Sequence, residues 1–127
     1  MKLQGRILLF DEVNLNNDIF SKACNLIIPE KVPLLWDFRQ PIGIAEVSKD
    51  KLGLLVTAET FSNEEIGIED LSVVFENGKI GAGGYYNCVK IHKDRNFTII
   101  DAARLWGVAL VLAPVSDKYY LEIVAEK

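Results

Sequence analysis

His92 is the single histidine of this chain, and Cys88 stands four residues before it. A thiol next to an imidazole is what a nucleophilic hydrolase needs, since sulfur attacks and the ring nitrogen takes the proton. On a strand, an even spacing puts the two on one face but about 13 Å apart at ~3.3 Å per residue. That separation forbids a direct dyad. Lys90, Lys93 and Arg95 surround His92, which reads as a solvated residue at a strand end. A metal site would need more ligands at suitable spacing, and none are so placed. Gly81, Gly83 and Gly84 suggest a phosphate loop, but they precede an apparent strand and no Gly-Lys-Ser/Thr follows. Close backbone packing or a β-bulge explains them better. Glu64, Glu65, Glu69, Asp70 and Glu76 read as a solvated helix face, and nothing pairs Glu46 with Asp50.

The elements that must carry these residues are short. Residues 2–10 form a first strand, then a polar Asn-rich stretch caps a short helix over 18–25, with Ile19, Ala23 and Leu26 on one face. Residues 33–36 make a short strand. Residues 42–47 and 52–60 make a hairpin about the polar turn 48–51. A second helix is expected over 64–75, with Asn77-Gly78 as its C-cap. Strands follow over 79–92, 97–102, 105–113 and 119–124. The expected class is α+β, mainly β: a small closed or partly closed barrel, which removes sheet edges, with one or two helices packed on it.

The chain has 127 residues, half of them apolar, which suits one folded domain over 1–127. A net charge of −4 without a basic stripe gives no reason to bind nucleic acid. Cys24 and Cys88 are too few for a secreted disulfide framework. No apolar run has the ~18 residues of a membrane span. The apolar residues 7–10 are too few for a signal peptide and run straight into Asp11 and Glu12, so the expectation is synthesis in a cytosol. Asn96-Phe97-Thr98 fits a glycosylation sequon, but without a secretory signal it reads as a turn.

Three segments, in order, carry a resemblance. Pro33-Leu34-Leu35-Trp36 followed by Pro41-Ile42-Gly43 is similar to a run that, in the phage prohead (head maturation) proteases, carries the catalytic histidine before the proline and closes on Pro-Ile-Gly; the family is distantly similar to the herpesvirus assemblin. Ile80-Gly81-Ala82-Gly83-Gly84-Tyr85 resembles that family's serine-bearing strand. The stretch from Leu105 and Trp106 to Pro114 resembles its acid-bearing strand. The likeness spans about residues 5–124. In place of the histidine stands Phe38, or Asp37 or Arg39 if the loop aligns differently. In place of the serine stands Ala82, or Gly81 or Gly83 after a one-residue shift. In place of the acid stands Gly107, with Ala109 two residues further on.

Phe38, Ala82 and Gly107 offer no nucleophile, no base and no acceptor. The resemblance therefore implies a prohead-protease-like fold kept for another purpose, with no catalytic residues, no cofactor and no metal. It implies a non-enzymatic virion protein, made in the bacterial cytoplasm. Such a protein would bind the major capsid protein and other head proteins as an auxiliary or decoration subunit, in multiple copies or self-associated. The alternatives are a head-assembly factor that leaves before maturation, a protease with a displaced nucleophile (Ser72, Ser116, or Cys88 with His92), and an unrelated small-barrel binding module. Trp36, Phe38, Tyr85, Tyr86 and Trp106 fall in or beside the three motifs, so they are expected to surround the former cleft, either sealing it or forming a partner surface.

Overall fold

The computed structural model of the chain describes residues 1–67 and 71–124. Eight strands dominate: β1 (Lys2–Leu9), β2 (Asp18–Ile27), β3 (Val32–Trp36), β4 (Gln40–Lys49), β5 (Gly53–Thr60), β6 (Lys79–Asp94), β7 (Phe97–Val111) and β8 (Tyr120–Val124). Seven of them close a barrel in the order β7-β3-β4-β5-β1-β8-β6 and back to β7. β2 lies outside this ring, parallel to the N-terminal half of β7. The barrel and the β4–β5 hairpin fit the sequence expectation; the α+β component does not, because the described residues hold almost no helix.

The expected helix over 18–25 is the strand β2. Phe20 and Cys24 are buried and Ile19 and Leu26 partly so, and a spacing of four serves a strand face as well as a helix face. Pairing with β7 decides between them. The register slips between Phe20 and Asn25, and side chains stand in for ladder bonds there: Lys22 N–H donates to Asp11 Oδ1 at 3.0 Å and Ala23 N–H to Ser21 Oγ at 3.0 Å. The helix expected over 64–75 shrinks to one turn, α1 (Asn63–Ile66), and a 3-10 turn, Leu71–Val74. Ser62 caps α1, taking a hydrogen bond from Glu65 N–H, and Gly67 stops it in the left-handed conformation at φ 72°. Ile68, Glu69 and Asp70 lie outside the described residues.

Asn77-Gly78 is no helix cap. Both residues have positive φ, 53° and 76°, as a type I′ turn requires, and Glu76 and Lys79 exchange two backbone hydrogen bonds across them. The two strands expected over 97–102 and 105–113 are one strand, β7. The turn at Asn96 joins β6 to β7, with Arg95 at φ 57°.

One apolar cluster fills the barrel, including Leu3, Leu34, Ile42, Leu54, Leu105, Leu110 and Leu121, and no charged side chain is buried among the described residues. Close curvature needs small residues at the corners. A Cβ on Gly5 would fall 1.9 Å from the Tyr120 carbonyl oxygen, and one on Gly53 1.8 Å from that of Leu8. Outside the core, Arg6 donates two hydrogen bonds to Asp50, at 2.9 and 2.8 Å, and Asp50 Oδ1 also accepts from Leu52 and Gly53 N–H. One carboxylate thereby caps the β4–β5 turn and ties it to β1. The Arg6 hydrogen bonds, with those from the turn, hold the Asp50 carboxyl well below the usual carboxylate range.

Two outcomes follow. Gly5→Ala should open the β1–β8 seam, lowering stability by about 3 kcal/mol in urea unfolding. A carboxyl lowered in the folded state stabilises above its unfolded pKa of ~3.9, and that contribution is lost as pH falls through the lower folded value. Asp50→Asn should therefore cost most near neutral pH. Its gap to the native chain should narrow progressively below about pH 4, as read from urea midpoints across a pH series.

Candidate functional site

The three motif segments fold side by side. Trp36 of β3 and Ala82 of β6 flank Leu110 of β7 on opposite sides, so the three form one row across the sheet. Ala82 and Leu110 belong to the core and Trp36 packs against it, which makes this the inner face. One residue along, Leu35, Ala109 and Gly83 form the outer row. Gly107 also faces outward, against Pro33 and Leu35. Ala82 and Gly107 thus lie on opposite faces of the sheet. The one-residue shift to Gly83 restores a shared face with Gly107 and Phe38, but it supplies no hydroxyl. Asp37 and Arg39 are exposed residues of the β3–β4 turn.

Phe38 occupies that turn with φ +61°, directly after Asp37 at +52°. A bulky side chain rarely adopts this conformation, and holding it costs on the order of 1–3 kcal/mol. Its ring lies over Gly83, where a Cβ would be 3.9 Å away, and 43% of the residue remains exposed. Tyr85 stands beside it at 6.0 Å between ring centroids, and Trp106 stacks on Tyr85 at 5.7 Å and 20°. Tyr85 and Trp106 are 38% and 48% exposed, so three rings form a ladder on the outer face rather than a plug. A bulge makes the ladder: Tyr85 pairs with Gly107 and Tyr86 with Leu105, which leaves Trp106 unpaired and pushed outward.

Tyr86 points the other way. Its ring folds back over Gly84, where a Cβ would fall 2.3 Å from the tyrosine Cζ, and it meets Phe20 of β2 at 4.7 Å. Part of the ring is accessible, but the hydroxyl is buried and has no hydrogen-bond partner among the described residues. Burial, with smaller effects from Tyr119 and the two cysteines, pushes this phenol far above its ordinary pKa. It borders a cavity of about 440 Å³, also lined by Ile7, Phe20, Phe38 and Tyr119. Among the described residues, Asp18 is the only charged one of the lining.

The residues that sequence reasoning offered for catalysis are scattered. His92 lies on the exposed far end of β6, its Nδ1 2.5 Å from Asp101 Oδ2 across β7. Among the described residues no hydrogen bond joins it to Cys88, which instead borders the cavity. Burial, then the charge of Asp18, raises the Cys88 thiol, which disfavours the thiolate a nucleophile requires. Ser116 caps its own turn, accepting from Lys118 N–H at 3.2 Å, and Ser72 sits in the 3-10 turn. Both cysteines are free, and no cluster of metal ligands occurs among the described residues.

Asp18 and Phe20 were missed as site residues because the sequence places them on a helix. The β-forming pair Ile19-Phe20 was the available signal. No protein-family model, no curated protein and no solved structure matches the chain.

An orphaned buried hydroxyl costs about 1–3 kcal/mol. Tyr86→Phe should therefore raise stability by about 1 kcal/mol, measured as a higher urea midpoint with an unchanged slope.

Proposed function

We propose that this chain is a non-enzymatic virion structural protein: a catalytically inactive, prohead-protease-like barrel that binds the major capsid protein as an auxiliary or decoration subunit. The observation that carries the reading is the ladder Phe38–Tyr85–Trp106. Where the resembled enzymes need a base, a hydroxyl and an acid, this chain has Phe38, a residue from Ala82 or its glycine neighbours, and Gly107. Three part-exposed rings stand on the outer face beside it, Phe38 over Gly83 and then Tyr85 and Trp106. Apolar rings left in water on a rigid sheet are the composition of protein interfaces rather than of solvated surface. The cost of holding Phe38 left-handed supports the same reading, because strain concentrates where a side chain must be presented.

Gradient-purified virions of the phage that encodes the chain test the reading. Mass spectrometry should find the intact protein at a fixed ratio to the major capsid protein, and Trp106→Ala should lower that ratio several-fold while the barrel still folds. Presence in precursor heads alone would assign the protein to head assembly instead. Absence from both would refute the proposal.

A further inference from the structure

Closure of the barrel leaves a gap along β6. β6 pairs with β8 only over Lys79–Gly81, and Ala82 N–H still reaches the Tyr119 carbonyl at 3.0 Å. Beyond that, among the described residues, the edge of β6 away from β7 carries no strand. Amides two residues apart on a strand point the same way, so Gly84 turns its N–H and C=O to this open edge. The cavity beside Tyr86 lies along it: every residue of β6 from Ala82 to Tyr86 lines the cavity. Residues of both parities do so, which means the strand presents its main chain there and not merely one face.

From this arrangement we propose that the β6 edge from Gly83 to Tyr86 and the adjoining cavity form a strand-addition site. Its occupant is an extended segment of a partner protein that carries apolar side chains and a basic residue. The polar groups of the cavity select this chemistry. Asp18 is its only charge and forms no ion pair among the described residues. An anionic ligand would meet no cation, whereas a lysine or arginine would meet that carboxylate. Tyr86 supplies a buried hydroxyl lacking an acceptor, and a peptide carbonyl is one. Tyr119 accepts from Leu9 N–H at 3.2 Å and retains its own proton to donate. Main-chain hydrogen bonds to Gly84 give affinity, and alternate side chains entering the apolar cavity give selectivity.

The proposal rests on the reading that the barrel binds a protein, and it places one contact of that binding. A random-peptide display library selected on the immobilised full chain tests it. Enriched peptides should alternate apolar with other residues and carry Lys or Arg. Asp18→Asn should weaken resynthesised peptides about tenfold and Tyr86→Phe about threefold, the latter in a protein more stable than the native one. Hydrogen exchange at the Gly84 amide should slow in the complex. The proposal falls if no peptide is enriched, if both variants bind as the native chain does, or if the Gly84 amide stays unprotected. It also falls if phenethylamine fills the cavity as tightly as the peptides, for the site would then be one for small amines. A barrel that takes peptides but is missing from heads loses only its virion assignment; one present in virions that enriches nothing loses only the edge site.

Discussion

The pairing of β6 with β7 governs this molecule. It closes the seven-stranded ring and then runs on past the pairings with β8 and β3, with β2 alongside β7. A long two-stranded ladder that is part of a closed barrel over only some of its length needs local adjustment. The register shifts three times along this pair, at Tyr85/Tyr86, Cys88/Lys90 and Lys90/Ile91. The first shift marks the passage from barrel to extension. It turns Trp106 out to meet Tyr85, and it falls beside the point where Tyr86 turns in over Gly84. Outer ladder and inner cavity both originate at that bulge, and Phe38 and Tyr85 belong to each.

Small residues make these placements feasible. Gly83 lies beneath the Phe38 ring and Gly84 beneath the Tyr86 ring, so each aromatic covers main chain that would otherwise face water or a void. The glycines that suggested a phosphate loop are thus floors for rings on the two faces of one strand. Their backbone stays within reach of a neighbour, which larger residues would prevent.

Most strands were legible because their alternation and turn chemistry are local. β1, β3, β4, β5, β6 and β8 follow from runs of apolar and β-branched residues between polar turns. β2 was not legible, because Phe20 and Cys24 satisfy helix and strand spacing alike and only a parallel partner some eighty residues away decides. The short helix was over-extended because Gly67, inside the apolar pattern, acts as its stop. Asn77-Gly78 fits a helix cap and a hairpin turn alike, and the exchange of hydrogen bonds between Glu76 and Lys79 decides for the turn. At the site, Phe38, Tyr85 and Trp106 stand together on the outer face, while Trp36 and Tyr86 pack against the core. Their division between two faces was hidden, since it depends on a bulge that no local pattern announces. Phe38 illustrates the limit: nothing in Asp37-Phe38-Arg39 signals two consecutive left-handed residues, because the tight β3–β4 connection imposes them.

The distribution of charge along β6 bears on where a partner would meet it. Free strand edges invite association, and proteins guard them with charged residues. The far end of β6 is guarded in this way by Lys90, His92, Lys93 and Asp94, which interrupt the exposed Val89 and Ile91. The stretch from Ile80 to Val89 has no charge at all, although much of it borders the open edge. Unguarded main chain is a liability to a protein that must stay apart from others. Here, among the described residues, it adjoins an apolar cavity, a hydroxyl with no hydrogen-bond partner and a carboxylate with no ion pair. Open main chain, an apolar cavity, an unpartnered hydroxyl and a carboxylate meet at one place, and the arrival of another strand would engage all four.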